Sequence, residues 1–249
     1  MTAIEQVEAA LDALLADARP AVLYAAMRHA VMPGGKRIRP RLCLAAAVAA
    51  GGHEEDAVHP ACAIELLHSY TLVHDDLPSM DNDRVRRGRP SVWAEFGEAN
   101  AILAGDALQA LAFRTAAQTP RNADRVVAAL GEAGIGVVRG QMEDLGGDDT
   151  DFIYRHKTAD LFVAAVTMGA YAAGGTEGDA ARLRGYALNL GLAFQHRDDL
   201  LDGDSPFPED VAKRKVADLT RLAVESLRGL PGSVDFLADL AARLAERNA

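Results

Sequence analysis

The chain has 249 residues, with 26 Lys and Arg against 36 Asp and Glu, so its formal charge at neutral pH is 26 minus 36, or -10. That balance lacks the basic footprint of a nucleic-acid-binding protein, and no apolar run approaches membrane-spanning length. Two cysteines, Cys43 and Cys62, are too few and too far apart for a disulfide framework or a zinc site; with no basic-plus-apolar N-terminal signal, a cytoplasmic protein with reduced thiols is expected. Hydrophobic residues make up 49% of the chain, alanine is abundant and strand formers are sparse. An all-α fold follows. No compositional break divides the chain, so one domain over residues 1–249 is expected.

Apolar residues at helical spacing predict helices over Ile4 to Leu15 and Val22 to Val31. Met32-Pro33-Gly34-Gly35 ends the second with strong turn chemistry. Lys36, Arg37 and Arg39 follow at once. Two glycines that admit a ligand close to the backbone, and Pro40 at a helix start, make GGKRIRP an anion-binding turn. An alanine-rich helix is predicted over Arg41 to Ala50. The next runs from His59 to His74, with Ile64, Leu66, Leu67, Tyr70, Leu72 and Val73 on one broad buried face.

The segment His68 to Pro90, HSYTLVHDDLPSMDNDRVRRGRP, is far more charged than a core requires. Asp75 and Asp76 fall at the C-terminal end of the predicted helix, where the helix dipole disfavours negative charge unless cations compensate it. Hard divalent cations do so through carboxylate oxygens, and Mg2+ accepts one or two of these while leaving its other positions to water and substrate phosphates. Asp75 and Asp81 are six apart, so on a continuous helix they would lie about 120° apart around the axis. They can face one metal cluster only if the helix ends between them, and Pro78 supplies the reason.

Downstream, Ser91 can cap a helix, and Ala99 to Ala117 has few charges beyond Asp106, the pattern of a helix buried nearly all round. Arg125 to Glu143 reads as a helix with Gly134, Gly136 and Gly140 for close packing, followed by a Gly/Asp-rich linker over Asp144 to Asp151. A helix over Tyr154 to Met168 carries RHKT; Gly174 to Asp179 forms a turn, and Ala180 to Leu201 a long helix bearing FQHRDDLLDGD. Asp198 and Asp202 lie within about 40° of each other on one helical face and would repel if unpaired. Two acidic groups, with Lys36, Arg37, Arg39, Arg86 and Arg87, describe a cavity that holds a polyanion through metal ions on one side and guanidinium groups on the other. Diphosphate fits both halves.

These segments, GGKRIRP, HSYTLVHDDLPSMDNDRVRRGRPS, EFGEANAILAGDALQALAF, GQMEDL, RHKT and GLAFQHRDDLLD, stand in the order of one family. The chain resembles the trans-prenyltransferases of the polyprenyl diphosphate synthase family, most closely the bacterial farnesyl diphosphate synthases. The resemblance implies an isoprenoid synthase-type helical bundle around a central active-site cavity, in a homodimer. It implies Lys36, Arg39, His68 and Arg87 on the isopentenyl diphosphate, with Arg86, Lys157, Thr158 and Gln195 beside the allylic diphosphate and the carbocation, and Gln141 facing the cavity. Mg2+ is implied as three ions with bound diphosphate, held directly by Asp75, Asp81 and Asp198, with Asp76, Asp199 and Asp202 nearby or acting through water. Released diphosphate takes the final proton, so no side-chain base is required.

Tyr70 and Thr71 stand about one helical turn before Asp75, on the wall along which the growing tail would run. A bulky tyrosine there limits depth and predicts a farnesyl product, with geranyl or geranylgeranyl diphosphate as alternatives. A terpene cyclase also ionises allylic diphosphates, but would not need the second cationic set. After Asp202 the family's loop lysine is missing; Lys213, Arg214 and Lys215 either cover the phosphates from a shortened loop or are ordinary surface charges, and Arg247 is left as the last cation. That departure raises a further alternative, a non-catalytic partner subunit of a heteromeric prenyl synthase.

Overall fold

A computed structural model describes residues 1–16, 18–33 and 35–246; Gly34 of the GGKRIRP turn and Arg247 lie outside the described residues. The order is α1 (Ala3–Leu14), α2 (Ala21–Val31), α3 (Ile38–Ala49), a 3-10 turn (Glu54–Ala57) and α4 (Val58–Asp75). A hairpin of β1 (Val85–Arg86) and β2 (Arg89–Pro90) leads to α5 (Val92–Phe96), α6 (Glu98–Ala116), α7 (Ala123–Gly146) and α8 (Thr150–Ile153). A π-helical turn (Tyr154–Ala159) precedes α9 (Asp160–Ala172), α10 (Glu177–Asp202), α11 (Glu209–Ser226) and α12 (Asp235–Glu246). This is the all-α helical bundle expected from the sequence.

Local chemistry sets the starts of these helices. Thr2 and Glu5 exchange side-chain and backbone hydrogen bonds at the head of α1, and Thr176 and Asp179 do the same for α10. The Thr176 box explains why α10 begins at Glu177 and absorbs the last residues of the predicted turn. The linker predicted over Asp144 to Asp151 is likewise shorter, because α7 continues through Asp144 and Leu145 to Gly146.

The buried side chains form one connected cluster from Ala3 to Leu244. Its centre is α9, where Leu161, Phe162, Ala164, Ala165, Val166 and Met168 are all buried and Asp160 is the only charge. The prediction that Ala99 to Ala117 is buried all round is corrected: α6 packs on α4, while Ile102 and Leu103 on its other side are 44% and 58% exposed. An apolar composition cannot say which side of a helix faces solvent. Among the predicted close-packing glycines, Gly136 and Gly140 act so. A Cβ on Gly140 would stand 2.4 Å from the Lys157 backbone nitrogen, so only glycine lets α7 approach the π-helical turn. Gly134 has only Leu67 within van der Waals range.

Candidate active site

The first acidic motif is built by a helix that stops on time. α4 ends at Asp75, Asp76 is its cap, and the Asp81 backbone N–H donates to the Asp75 carbonyl at 2.9 Å, folding the Pro78 turn back on the helix end. The chain then makes the β1–β2 hairpin, with Val85 opposite Pro90 and Arg86 opposite Arg89. Arg87 (φ 54°) and Gly88 (φ 75°) form its tip, the two left-handed residues of a tight hairpin turn. Trp93 anchors the preceding loop by donating from Nε1 to the Asp83 carbonyl at 2.8 Å, and the Arg84 guanidinium lies 4.8 Å from the Trp93 ring.

The hairpin returns Arg86 to the acidic pair. Its Nε donates to Asp76 Oδ1 at 2.9 Å, Nη2 donates to the same oxygen, and Nη2 also reaches Asp83 at 3.1 Å. Asp76 is only 2% exposed, and burial lifts its carboxyl above the usual range while the Arg86 guanidinium opposes that rise. Asp75 has no such partner. Burial lifts its carboxyl to about 6, with Asp81 adding to the rise and Lys157 and Arg86 opposing it. Asp81 is exposed.

Lys157 and its neighbour join this motif to the second. The Lys157 ammonium pairs with Asp144 on α7 and lowers the Asp75 pKa, which places it on the first motif's side. Thr158 donates to Gln195 Oε1 at 2.9 Å, Gln195 Nε2 donates to Asp199 Oδ1 at 2.8 Å, and the Tyr154 hydroxyl donates to Asp199 Oδ2. Burial, and then Asp199, push the Tyr154 phenol upward, so it stays a donor. The Tyr154 ring stands edge-on to His196 at 5.1 Å, and His196 packs on Phe207 at 5.7 Å. Asp198 is half-buried on the same helix and Asp202 is exposed near its end. The wider π-helical turn points Lys157 one way and Thr158 the other, a use of π-bulges common at functional sites.

The cationic side gathers on α3 and α4. Burial lowers the pKa of Arg39 to about 10, and its Nε is buried with no hydrogen-bond partner. His68 Nδ1 is also buried without a partner, and burial with the fields of Arg39 and Arg87 holds the ring neutral, far below the usual imidazole range. Arg87 lies against Gly35, where a Cβ would meet its guanidinium at 3.1 Å. Lys36 is exposed beside them. Arg37, grouped with these cations from the sequence, is a correction. It is 5% exposed and donates to Glu8 and Glu65 at 2.7 Å each and to the Val31 carbonyl at 2.9 Å, so it fastens the turn to α1, α2 and α4.

One buried amide and two hydroxyl side chains stand near these groups. Both polar atoms of the Gln141 side chain are buried without a protein partner, a cost of roughly 1–3 kcal/mol in the absence of a ligand or water. The Thr71 hydroxyl returns to the His68 carbonyl at 2.8 Å. Tyr70 is half-buried and edge-on to His74 at 4.9 Å. Of the residues after Asp202, Lys213 pairs with Glu209, Arg214 pairs with Asp210 at 2.8 Å, and Lys215 lies 4.3 Å over Phe207. The first two are surface ion pairs, one of the two roles the sequence left open. The Tyr154 tie and the Arg86–Asp76 pair were not foreseen as contacts. The hairpin carrying Arg86 does have a sequence signal in Arg87-Gly88 between short strands.

A cavity of about 500 Å3 between α7, α9 and α10, lined by Arg125, Glu132, Arg139, Asp160 and Tyr171, contains neither acidic motif. A smaller one of about 40 Å3 lies behind Asp76, Arg86 and Arg87.

The geometry agrees with what the chain is similar to. Residues 20–224 match the polyprenyl synthetase family. The chain is 40% identical over 254 residues to a chloroplastic geranylgeranyl pyrophosphate synthase of Capsicum annuum, covering 94% of this chain and 68% of that one. It is 46% identical over 213 residues to a geranylgeranyl diphosphate synthase of Cyanophora paradoxa, covering 80% and 71%. Its fold superposes on the crystal structure of an FPP/GFPP synthase from Zymomonas mobilis with a TM-score of 0.90 and 32% identity, over 98% of this chain and 96% of that one. The chain therefore belongs to the polyprenyl synthetase family, the trans-isoprenyl diphosphate synthases.

Proposed function

We propose that this prenyltransferase condenses isopentenyl diphosphate with allylic diphosphates and elongates them to geranylgeranyl diphosphate. The carrying observation is the turn at Lys157 and Thr158, which joins the buried Asp75 to the Gln195–Asp199 pair and so frames one site for a diphosphate and the carbon chain it leaves. The curated relatives described above are named geranylgeranyl synthases, which supports that product over the farnesyl product expected from Tyr70. One observation favours the shorter product: the Tyr70 ring stands one turn before Asp75, edge-on to His74.

The donor set suits Mg2+. It consists of hard carboxylate oxygens, and Asp75 carries a buried charge that no side chain neutralises fully. Among the described residues no three acidic, histidine or cysteine side chains cluster closely enough to hold an ion by themselves. Carboxylate oxygens are the ligands Mg2+ prefers, one or two at a time, with water and phosphate completing its shell. Asp75, Asp81 and Asp198 would hold it, with Asp76 and Asp199 behind them and Asp202 at the rim. Bound there, Mg2+ supplies Lewis-acid neutralisation of the departing diphosphate.

The chain's own residues do the rest. Arg39, Arg87, Lys36 and neutral His68 bind and orient the isopentenyl diphosphate, and Arg39 and His68 have buried nitrogens awaiting acceptors. Arg86 and Lys157 face the allylic diphosphate, where fixed positive charge stabilises the ionised leaving group more than the ester. Thr158 and Gln195, bonded to each other and to Asp199, are held on the side of the carbon skeleton.

A homodimer belongs to the same reading. α6 and α7 leave Ile102, Leu103, Ile135, Val138 and Met142 exposed, an apolar face that a second copy would cover. The free, buried thiols of Cys43 and Cys62 support a cytoplasmic location. Among the described residues no helix is long and apolar enough to cross a membrane.

The test is chain-length analysis of products made from labelled isopentenyl diphosphate with dimethylallyl, geranyl or farnesyl diphosphate as primer. Geranylgeranyl diphosphate from all three is expected. Products that stop at farnesyl diphosphate, with no use of the farnesyl primer, would establish the shorter reading.

A further inference from the structure

Asp199 lies inside the second acidic motif, yet neither of its oxygens is idle. Oδ1 accepts from Gln195 Nε2 at 2.8 Å, and Oδ2 accepts from the Tyr154 hydroxyl. Gln195 in turn accepts from Thr158 at 2.9 Å. The line Tyr154, Asp199, Gln195, Thr158 leaves the π-helical turn at its first residue, crosses to α10, and returns to the turn four residues later. These three hydrogen bonds form a line whose two ends lie on the same turn.

Geometry makes Tyr154 its anchor. The residue is 8% exposed, and its ring is fixed edge-on against His196, itself 4% exposed and backed by Phe207. Asp199 and Gln195 are one helical turn apart on α10, so the bond between them fixes side chains but cannot fix the neighbouring turn. Within this line, the Tyr154 and Thr158 bonds are the ones that cross between α10 and the turn. Without the phenol, one oxygen of Asp199 loses its partner, Asp199 is free to rotate, and the amide of Gln195 loses its orientation.

We propose that Tyr154 is a positioning residue for prenyl transfer: through Asp199 and Gln195 it sets the orientation of Thr158 at the reacting carbon. It touches neither substrate nor leaving group. The inference rests on the proposed elongation reaction and adds a residue to it.

Tyr154→Phe tests it, because phenylalanine keeps the ring against His196 and removes only the hydroxyl. Four proteins are compared: wild type, Tyr154→Phe, Thr158→Val and the double variant. The expected result for Tyr154→Phe is a roughly tenfold fall in kcat with both KM values within about twofold of wild type. Calorimetric binding of inorganic diphosphate in the presence of Mg2+ should be unchanged, and the double variant should turn over no more slowly than Thr158→Val alone. A Tyr154→Phe protein with wild-type kcat overturns the inference. So does one whose loss multiplies with that of Thr158→Val, or tracks a fall in melting temperature, since both are signs of a structural role. If the wild type elongates no primer, the proposed reaction fails and the inference with it; an active wild type beside an unaffected variant condemns only the role of Tyr154.

Discussion

Arg86 places two donors on a single oxygen of Asp76, the carboxylate immediately after Asp75, and so divides two adjacent aspartates into one that has a guanidinium partner and one that, among the described residues, has no ion-pair partner. Removing the guanidinium leaves Asp76 charged at 2% exposure. Arg86 itself is half-exposed, so Arg86→Gln should destabilise the fold by about 2 kcal/mol, less than a fully buried pair would lose. Chemical denaturation with and without Asp76→Asn checks this: Asp76→Asn should suppress most of the effect, and equal losses in both backgrounds would refute the pairing.

Asp75 should show the opposite sign. Its carboxyl rises from 3.8 to about 6 on folding, because burial disfavours the charge. The folded chain thus binds that proton more tightly than the unfolded chain does. The stability this gives is complete below pH 3.8 and is lost as pH rises through about 6. At pH 8 without metal, Asp75→Asn should therefore be more stable than wild type by about 2 kcal/mol, after discounting for partial exposure, and the gain should shrink toward pH 4. Thermal melts at the two pH values measure it. The same variant should lose elongation activity.

The GGKRIRP turn separates binding from support. Arg37 pairs with the buried Glu65 and the partly exposed Glu8, so Arg37→Gln should cost roughly 3 kcal/mol, mostly through the uncompensated Glu65, and show in the melting temperature. Lys36 is exposed. Lys36→Ala should leave stability within about 0.5 kcal/mol and raise the KM for isopentenyl diphosphate about tenfold. A reversal of these two phenotypes would mean that Arg37, not Lys36, faces the substrate.

Tyr70 sets a prediction on product length. Tyr70→Ala removes the ring that stands before Asp75 against His74, and should shift the products of the geranyl primer toward longer chains. Chromatography of the dephosphorylated alcohols reads the distribution. An unchanged distribution would take Tyr70 off the chain-length wall.

What the sequence made legible was chemistry that is local. The helix end at Asp75 follows from Pro78, the anion-binding turn from its glycines and arginines, and the acidic face from the Asp198 to Asp202 spacing. What it hid was decided by residues far apart in the chain. Arg37 reads as one more cation until Glu65, 28 residues on, is seen beside it. Tyr154 reads as a helix residue until Asp199, 45 residues on, takes its hydroxyl. The exposed side of α6 is equally silent in sequence, because Ile102 and Leu103 look no different from the buried Leu108. Hydrogen-bond partners and helix facing are tertiary properties, while caps, turns and carboxylate spacing are not.

The most direct test of the account is a single-turnover measurement with labelled isopentenyl diphosphate and farnesyl diphosphate in Mg2+ buffer, following inorganic diphosphate and the prenyl product together. The account predicts that one diphosphate is released for each five-carbon unit added, with geranylgeranyl diphosphate formed and no release when isopentenyl diphosphate is withheld. Diphosphate release without isopentenyl diphosphate, accompanied by cyclic or hydrolysed products, would contradict it.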